Sequence, residues 1–236
     1  MRQGEILFNN LSSVSDMHMY MTSYPTIKMT SEDYEKVPIE GRNGCLIRNK
    51  GTFPELELPF TFTKESESEV LFDLELIQLW LTNYTDNRLY YGRNDKCYRV
   101  KKIVFGDFKQ EYERCGEVNI TFICEPFIYY PIQEEHTITS NYKFYYKGTA
   151  PADTFIKVYG SGNIQLQIND QVILLKNVDE VVTIDSDLKQ FRDKNNQSKD
   201  FDCIGNFIAL DKGEYNISYT GNVTKVEISY WVAYRQ

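Results

Sequence analysis

The chain has 236 residues and a net charge of −8, with 26 Lys and Arg against 34 Asp and Glu. That length admits one large or two modest domains, each able to bury a core. An acidic balance with a pI near 5.0 argues against a basic phosphate-binding face, so nucleic acid is not an expected partner. No apolar stretch is long enough to cross a bilayer as a helix, and Ile6 to Phe8 is too short for a signal-peptide core, so a membrane partner is not expected either. The 18 Tyr and 14 Phe favour strands. Cys45, Cys97, Cys115, Cys124 and Cys203 form no Cys-x-x-Cys pair and leave one over, which reads as buried reduced thiols made in a cytoplasm, without zinc.

In chain order, Glu5 to Asn9 reads as a strand ending at an Asn9-Asn10 turn, and Met17 to Tyr24 as another, with Met17, Met19 and Met21 as core filling. Pro25 and Pro38 bracket a charged segment, and Gly41-Arg42-Asn43-Gly44 has the chemistry of a hairpin tip. The region from Thr30 to Lys50 is therefore an arm or hairpin, with Arg42, Asn43, Gly44 and Cys45 as candidate assembly residues. Leu56, Leu58, Phe60 and Phe62 alternate as a strand, and Lys64 to Glu69 reads as a solvated run. A helix is expected from about Asp73 to Leu81, with Trp80 as a core anchor and a stop at Thr82-Asn83. Leu89 to Tyr91 and Cys97 to Phe105 form a hairpin.

Val118, Ile120, Phe122 and Cys124 fall on one face of a strand that Pro126 and Pro131 interrupt. Phe127, Ile128, Tyr129 and Tyr130 then form a packed seam between a first domain, residues 1–132, and a second, residues 133–236. The second contains strands at Tyr142 to Tyr146, Thr154 to Tyr159, Asn163 to Ile168, Val172 to Leu175, Val181 to Ile184, Tyr215 to Tyr219 and Val223 to Tyr234. That spacing predicts a β-sandwich, with Gly160-Ser161-Gly162 as a hairpin turn and Phe191 to Asp202 as a surface loop.

Catalytic constellations are scarce. The two histidines, His18 and His136, sit in different domains without a nucleophile motif, and Asp185-Asp187 and Glu134-Glu135 read as turn or solvent-facing carboxylates. No catalytic, metal or cofactor residue is expected. A wall hydrolase remains as a remote alternative. Trp231 shares a strand face with Lys225 and Glu227 and is the candidate exposed aromatic.

Taken together, Phe8-Asn9-Asn10, Val37-Pro38 with Gly41 to Gly44, Ile77 to Leu81, Leu89-Tyr90-Tyr91 with Tyr98-Arg99-Val100, Phe122 to Phe127, Gly160 to Asn163, Ile168-Asn169, Thr183 to Ser186 and Gly213 to Gly221 run in one order. In that order the chain resembles the distal tail protein (Dit) family of long-tailed bacteriophages infecting Gram-positive hosts. The resemblance implies a mainly β protein with two β-sandwich domains, the first carrying one helix and an extended hairpin arm, the second galectin-like. It further implies a non-enzymatic virion hub, a homohexameric ring joining the tail tube protein to the tail-tip or tail-associated protein. A receptor-binding protein is a further candidate partner. The alternative is a glycan-binding adhesion module for host wall polysaccharide, motivated by aromatic residues on β surfaces.

Overall fold

Asn9 and Asn10 both hold positive φ, 48° and 61°, the backbone of a tight hairpin turn that matches strand twist. They join β1 (Ile6–Phe8) to β2 (Leu11–Ser12). The computed structural model describes residues 4–67 and 69–236. Met1 to Gln3, at the start read for a signal peptide, lie outside the described residues, as does Ser68 of the expected solvated run.

The chain divides into two units, Met1–Pro131 with Arg235–Gln236, and Ile132–Tyr234. In the first, β3 (Met19–Ser23), β4 (Tyr34–Pro38), β5 (Cys45–Asn49), β6 (Leu56–Glu65), α1 (Val70–Thr82), β7 (Arg88–Tyr91), β8 (Tyr98–Tyr112), β9 (Cys115–Cys124) and β10 (Ile128–Tyr129) follow in order. Among the described residues the main sheet has the order β2-β1-β7-β8-β9-β6-β3. Alternation builds its core: Leu56, Leu58, Phe60 and Phe62 of β6 meet Val118, Ile120, Phe122 and Cys124 of β9 under α1. Met17 and Met19 are buried in the same core, with Met21 packed against it, so the methionine row is core filling.

The helix is one turn longer at its start than expected, because Val70 is already buried and its N–H donates to the Glu113 carbonyl oxygen. Trp80 is 3% exposed. The expected solvated run begins instead inside the core face: Lys64 continues the alternation of β6, is 3% exposed, and pairs with Asp73 of α1 at 2.9 Å. A charge there persists because a counter-charge and the Glu65 carbonyl oxygen, at 2.9 Å, satisfy it.

The second unit contains β11 (Glu134–Ile138), β12 (Tyr142–Tyr146), β13 (Ala152–Ile168), β14 (Gln171–Asp185), β15 (Gln190–Asp193), β16 (Cys203–Ile204), β17 (Ala209–Leu210), β18 (Gly213–Tyr230) and β19 (Ala233–Tyr234). Its principal sheet runs β11-β18-β13-β14-β15. Several expected short strands are halves of long ones. Gly160-Ser161-Gly162 is no hairpin turn but a bend inside β13, where the register to both β14 and β18 shifts. Only glycine fits at position 160, since a Cβ there would stand 2.2 Å from the Asn222 carbonyl oxygen. Asn177 and Glu180 in β14 and Gly221 in β18 take positive φ alongside, so three neighbouring strands bend together. Phe191 to Asp202 is only partly a loop, because Phe191 is buried within β15 against Phe207, ring centroids 4.8 Å apart. The protein is thus mainly β, a two-sandwich fold with one α-helix among the described residues and an exposed hairpin.

Candidate assembly surfaces and sites

The candidate arm is β4 and β5, a two-stranded ribbon paired from Tyr34 with Asn49 to Pro38 with Cys45. Arg42, Asn43, Gly44 and Cys45 lie at its tip, all exposed. Gly41 and Gly44 there hold φ of 75° and 82°, the left-handed conformation for which the sequence supplies glycine. An isolated ribbon is marginal in water, and this one leaves Tyr34, Ile39, Leu46 and Ile47 exposed. Cys45 departs from the expectation of buried thiols, because its strand has no layer above it.

Two further unpaired surfaces lie beyond the expected arm. On α1 the inner face buries Val70, Ile77, Trp80 and Leu81, while Phe72, Leu76 and Leu79 at i, i+4 and i+7 form an exposed apolar stripe, Phe72 being 71% exposed. A helix apolar on opposite faces is characteristic of one that is covered twice. The run Leu71-Phe72 to Leu79 carries this second face in the sequence, whereas Trp80 as a core anchor marks only the inner one. The second surface is the edge of β8: among the described residues it pairs with β7 only at Arg99 and Tyr98, and the stretch from Lys102 to Tyr112 has a strand neighbour on one side alone. Val104, Phe105 and Tyr112 are exposed along it. Long open edges recruit further strands.

The seam residues belong to the packing of the first unit. Ile128 joins its core, Phe127 meets Phe53 with centroids 5.0 Å apart, and Tyr129 exchanges backbone hydrogen bonds with Cys97 at 2.8 and 2.9 Å. Tyr130 is half-buried. Arg88 ties the run from below, donating to the Pro131 carbonyl oxygen at 3.0 Å while held by Asp86. Trp231 lies one residue beyond the end of β18 and is half-buried; it is not part of the strand face assigned to it from the alternation.

The acidic pairs have structural partners. Asp185 accepts the backbone N–H groups of Asp187 and Leu188 at 3.1 and 3.0 Å, and Glu134 pairs with Lys147 at 3.0 Å. His136 is held between two hydroxyls, Nε2 at 3.0 Å from Tyr230 and Nδ1 at 3.1 Å from Tyr142. Burial lowers its pKa against the opposing influence of Glu134. Burial also pushes the Cys97 and Cys203 thiols up to about 11, which keeps them protonated and unreactive. Among the described residues no group of His, Cys, Asp and Glu is arranged to hold a metal ion.

No family model and no curated protein matches the chain. A solved structure does: that of the SPP1 Dit protein, described as a paradigm of the hub adsorption apparatus in phages infecting Gram-positive hosts, is similar over 97% of this chain and 98% of that one. Identity is 14% and the TM-score 0.60, so the chain has a Dit-like fold.

Proposed function

We propose that the protein is a structural hub of a phage tail, forming a hexameric ring that joins the tail tube to the tail-tip and host-adsorption proteins of the virion. The observation that carries this reading is the fold likeness to the Dit hub protein over 97% of this chain and 98% of that one. The first unit supports it from the residues. It offers a ribbon with exposed apolar side chains, an apolar outer helix stripe and an open strand edge, three different surfaces on one subunit. A ring needs heterologous contacts, with unlike faces meeting around a rotation axis.

The role is non-catalytic, and the second unit is galectin-like in architecture. Negative-stain imaging and light scattering of the purified chain, alone and with the tail tube and tail-tip proteins of the same tail, test the proposal. Six-membered rings are the expected result. A strict monomer that binds neither neighbour overturns it, and turnover of host wall polysaccharide overturns the non-catalytic part.

A further inference from the structure

The outward face of the principal sheet in the second unit carries two adjoining hollows. One, of about 510 Å³, is lined by residues that include Phe155, Lys157, Tyr159, Thr183, Asp185 and Arg192. The other, of about 370 Å³, shares Phe155 and Lys157 and adds Glu135, Thr137, Glu227 and Ser229. Both volumes fall within the range of small-molecule sites. Strand register explains the arrangement. Lys157 is opposite Glu227 on one side and Thr183 on the other, Glu227 is opposite Thr137, and Thr183 is opposite Arg192. Thr137, Glu227, Lys157, Thr183 and Arg192 therefore form one row across five strands, about 19 Å long at the usual strand spacing. Phe155 and Tyr159 flank Lys157 on β13 and so stand on either side of that row, one ring above and one below.

The groups in the row are held in place. Glu227 accepts from Lys225 at 2.6 Å and from the Tyr159 hydroxyl at 3.0 Å, and the Lys225 ammonium stands 4.4 Å from the centroid of the Tyr159 ring. The Arg192 guanidinium donates to Gln190 Oε1 at 3.0 Å and to Asn196 Oδ1 at 2.9 Å. The Lys157 ammonium lies 5.6 Å from the centre of the Phe155 ring. Phe155 is 37% exposed, although its strand neighbours Ile156 and Val158 show that an apolar side chain could have been placed inward.

We infer that this face binds a neutral oligosaccharide laid across the strands, with sugar rings against Phe155 and Tyr159 and hydroxyls on the row between them. A sugar ring presents an apolar C–H face together with hydroxyls that both donate and accept. The face answers with two aromatic rings, carboxylate and hydroxyl acceptors at Glu227, Asp185 and Thr183, and donors at Lys157 and Arg192. A polyanion is disfavoured, because Glu135, Asp185, Asp193 and Glu227 offset Lys157, Arg192, Lys194 and Lys225 and leave the two hollows with no net positive charge. A peptide lying along the row would run across the strands and could not extend the sheet by pairing with its edge strands β11 and β15.

Saturation-transfer NMR of the full-length protein with a panel of neutral gluco-, galacto- and N-acetylhexosamine oligosaccharides, beside an anionic uronic-acid oligosaccharide, tests the inference. At least one neutral probe is expected to show transfer to its ring protons, with Kd on the order of 1 mM or tighter. Phe155→Ala is expected to weaken that binding about tenfold, equivalent to about 1.4 kcal/mol, and Thr183→Val to weaken it independently; thermal unfolding reports that both variants remain folded. Absence of transfer to every neutral probe at about 10 mM overturns the inference, as does binding insensitive to both substitutions. Binding confined to the anionic probe and erased by salt overturns it in favour of a charge-driven surface. The ring is read separately: Phe155→Ala leaves rings intact, whereas a variant of the arm that abolishes rings leaves sugar binding in place.

Discussion

The indole Nε1 of Trp80 donates to the backbone carbonyl oxygen of Phe8 at 3.0 Å, a buried hydrogen bond across 72 positions of sequence. It fixes α1 to the first strand, and the two rings also meet edge-on, centroids 6.4 Å apart. Trp80→Ala is expected to cost about 3–5 kcal/mol through the cavity alone and to leave the Phe8 oxygen without its partner, giving unfolded or insoluble protein. Trp80→Phe fills most of the space but loses the bond, so it should be soluble with a lower thermal midpoint. Expression yield and calorimetry of the pair separate the packing from the hydrogen bond.

Lys64 and Asp73 make a second internal tie. Burial acts to raise the Asp73 pKa, but the Lys64 and Ser66 hydrogen bonds outweigh it and the net shift is downward. A carboxylate depressed on folding contributes stability that is complete above its ordinary pKa, near 3.8, and is lost as pH falls through the folded value. Asp73→Asn strands the Lys64 ammonium and is expected to destabilise the first unit by about 2 kcal/mol, less than for a fully buried pair because Asp73 is partly wet. Urea unfolding at neutral pH and near pH 3 should show the gap between wild type and variant narrowing at the acid end.

The arm carries the test of assembly. Leu46→Ser with Ile47→Ser removes apolar surface that is already exposed in the single subunit, so the unfolding midpoint should hardly move while rings disappear from sedimentation profiles. Rings of unchanged stability would remove the arm from the interface.

Cys45 gives a footprint of the same contact. It is exposed at the arm tip, whereas Cys97, Cys124 and Cys203 are buried. Burial raises the thiol pKa of all three. Iodoacetamide labelling read by mass spectrometry should therefore modify Cys45 first in the isolated chain and more slowly in the assembled tail. Equal rates in the two states count against burial of the tip.

His136 reports on the second unit. Its pKa is lowered mainly by burial, so the folded state holds fewer protons than the unfolded chain just below the ordinary imidazole value of 6.5. The stability it contributes is complete above that value and is lost as pH falls through the folded pKa. NMR titration should place the imidazole below 6.5, and His136→Gln should flatten the decline of the second unit's unfolding midpoint between neutral pH and pH 5.

Much of this protein follows from local pattern. Alternation in Leu56 to Phe62 and in Val118 to Cys124 specifies half-buried strands because side chains on a strand point to opposite faces in turn. The glycines around Arg42 and Asn43 specify a turn because few other residues accept positive φ. Trp80 marked the helix that covers the sheet. Other features depend on which strands become neighbours, and that was decided only by the tertiary structure. Lys64 reads as solvated by its charge, and only the position of Asp73 on the overlying helix makes its burial tolerable. Gly160 to Gly162 has the composition of a turn, yet the pairing of β13 with both β14 and β18 carries the strand through it. Phe155, Lys157, Thr183, Arg192 and Glu227 come from four strands and share a face only through register, so no spacing within any one segment could place them together.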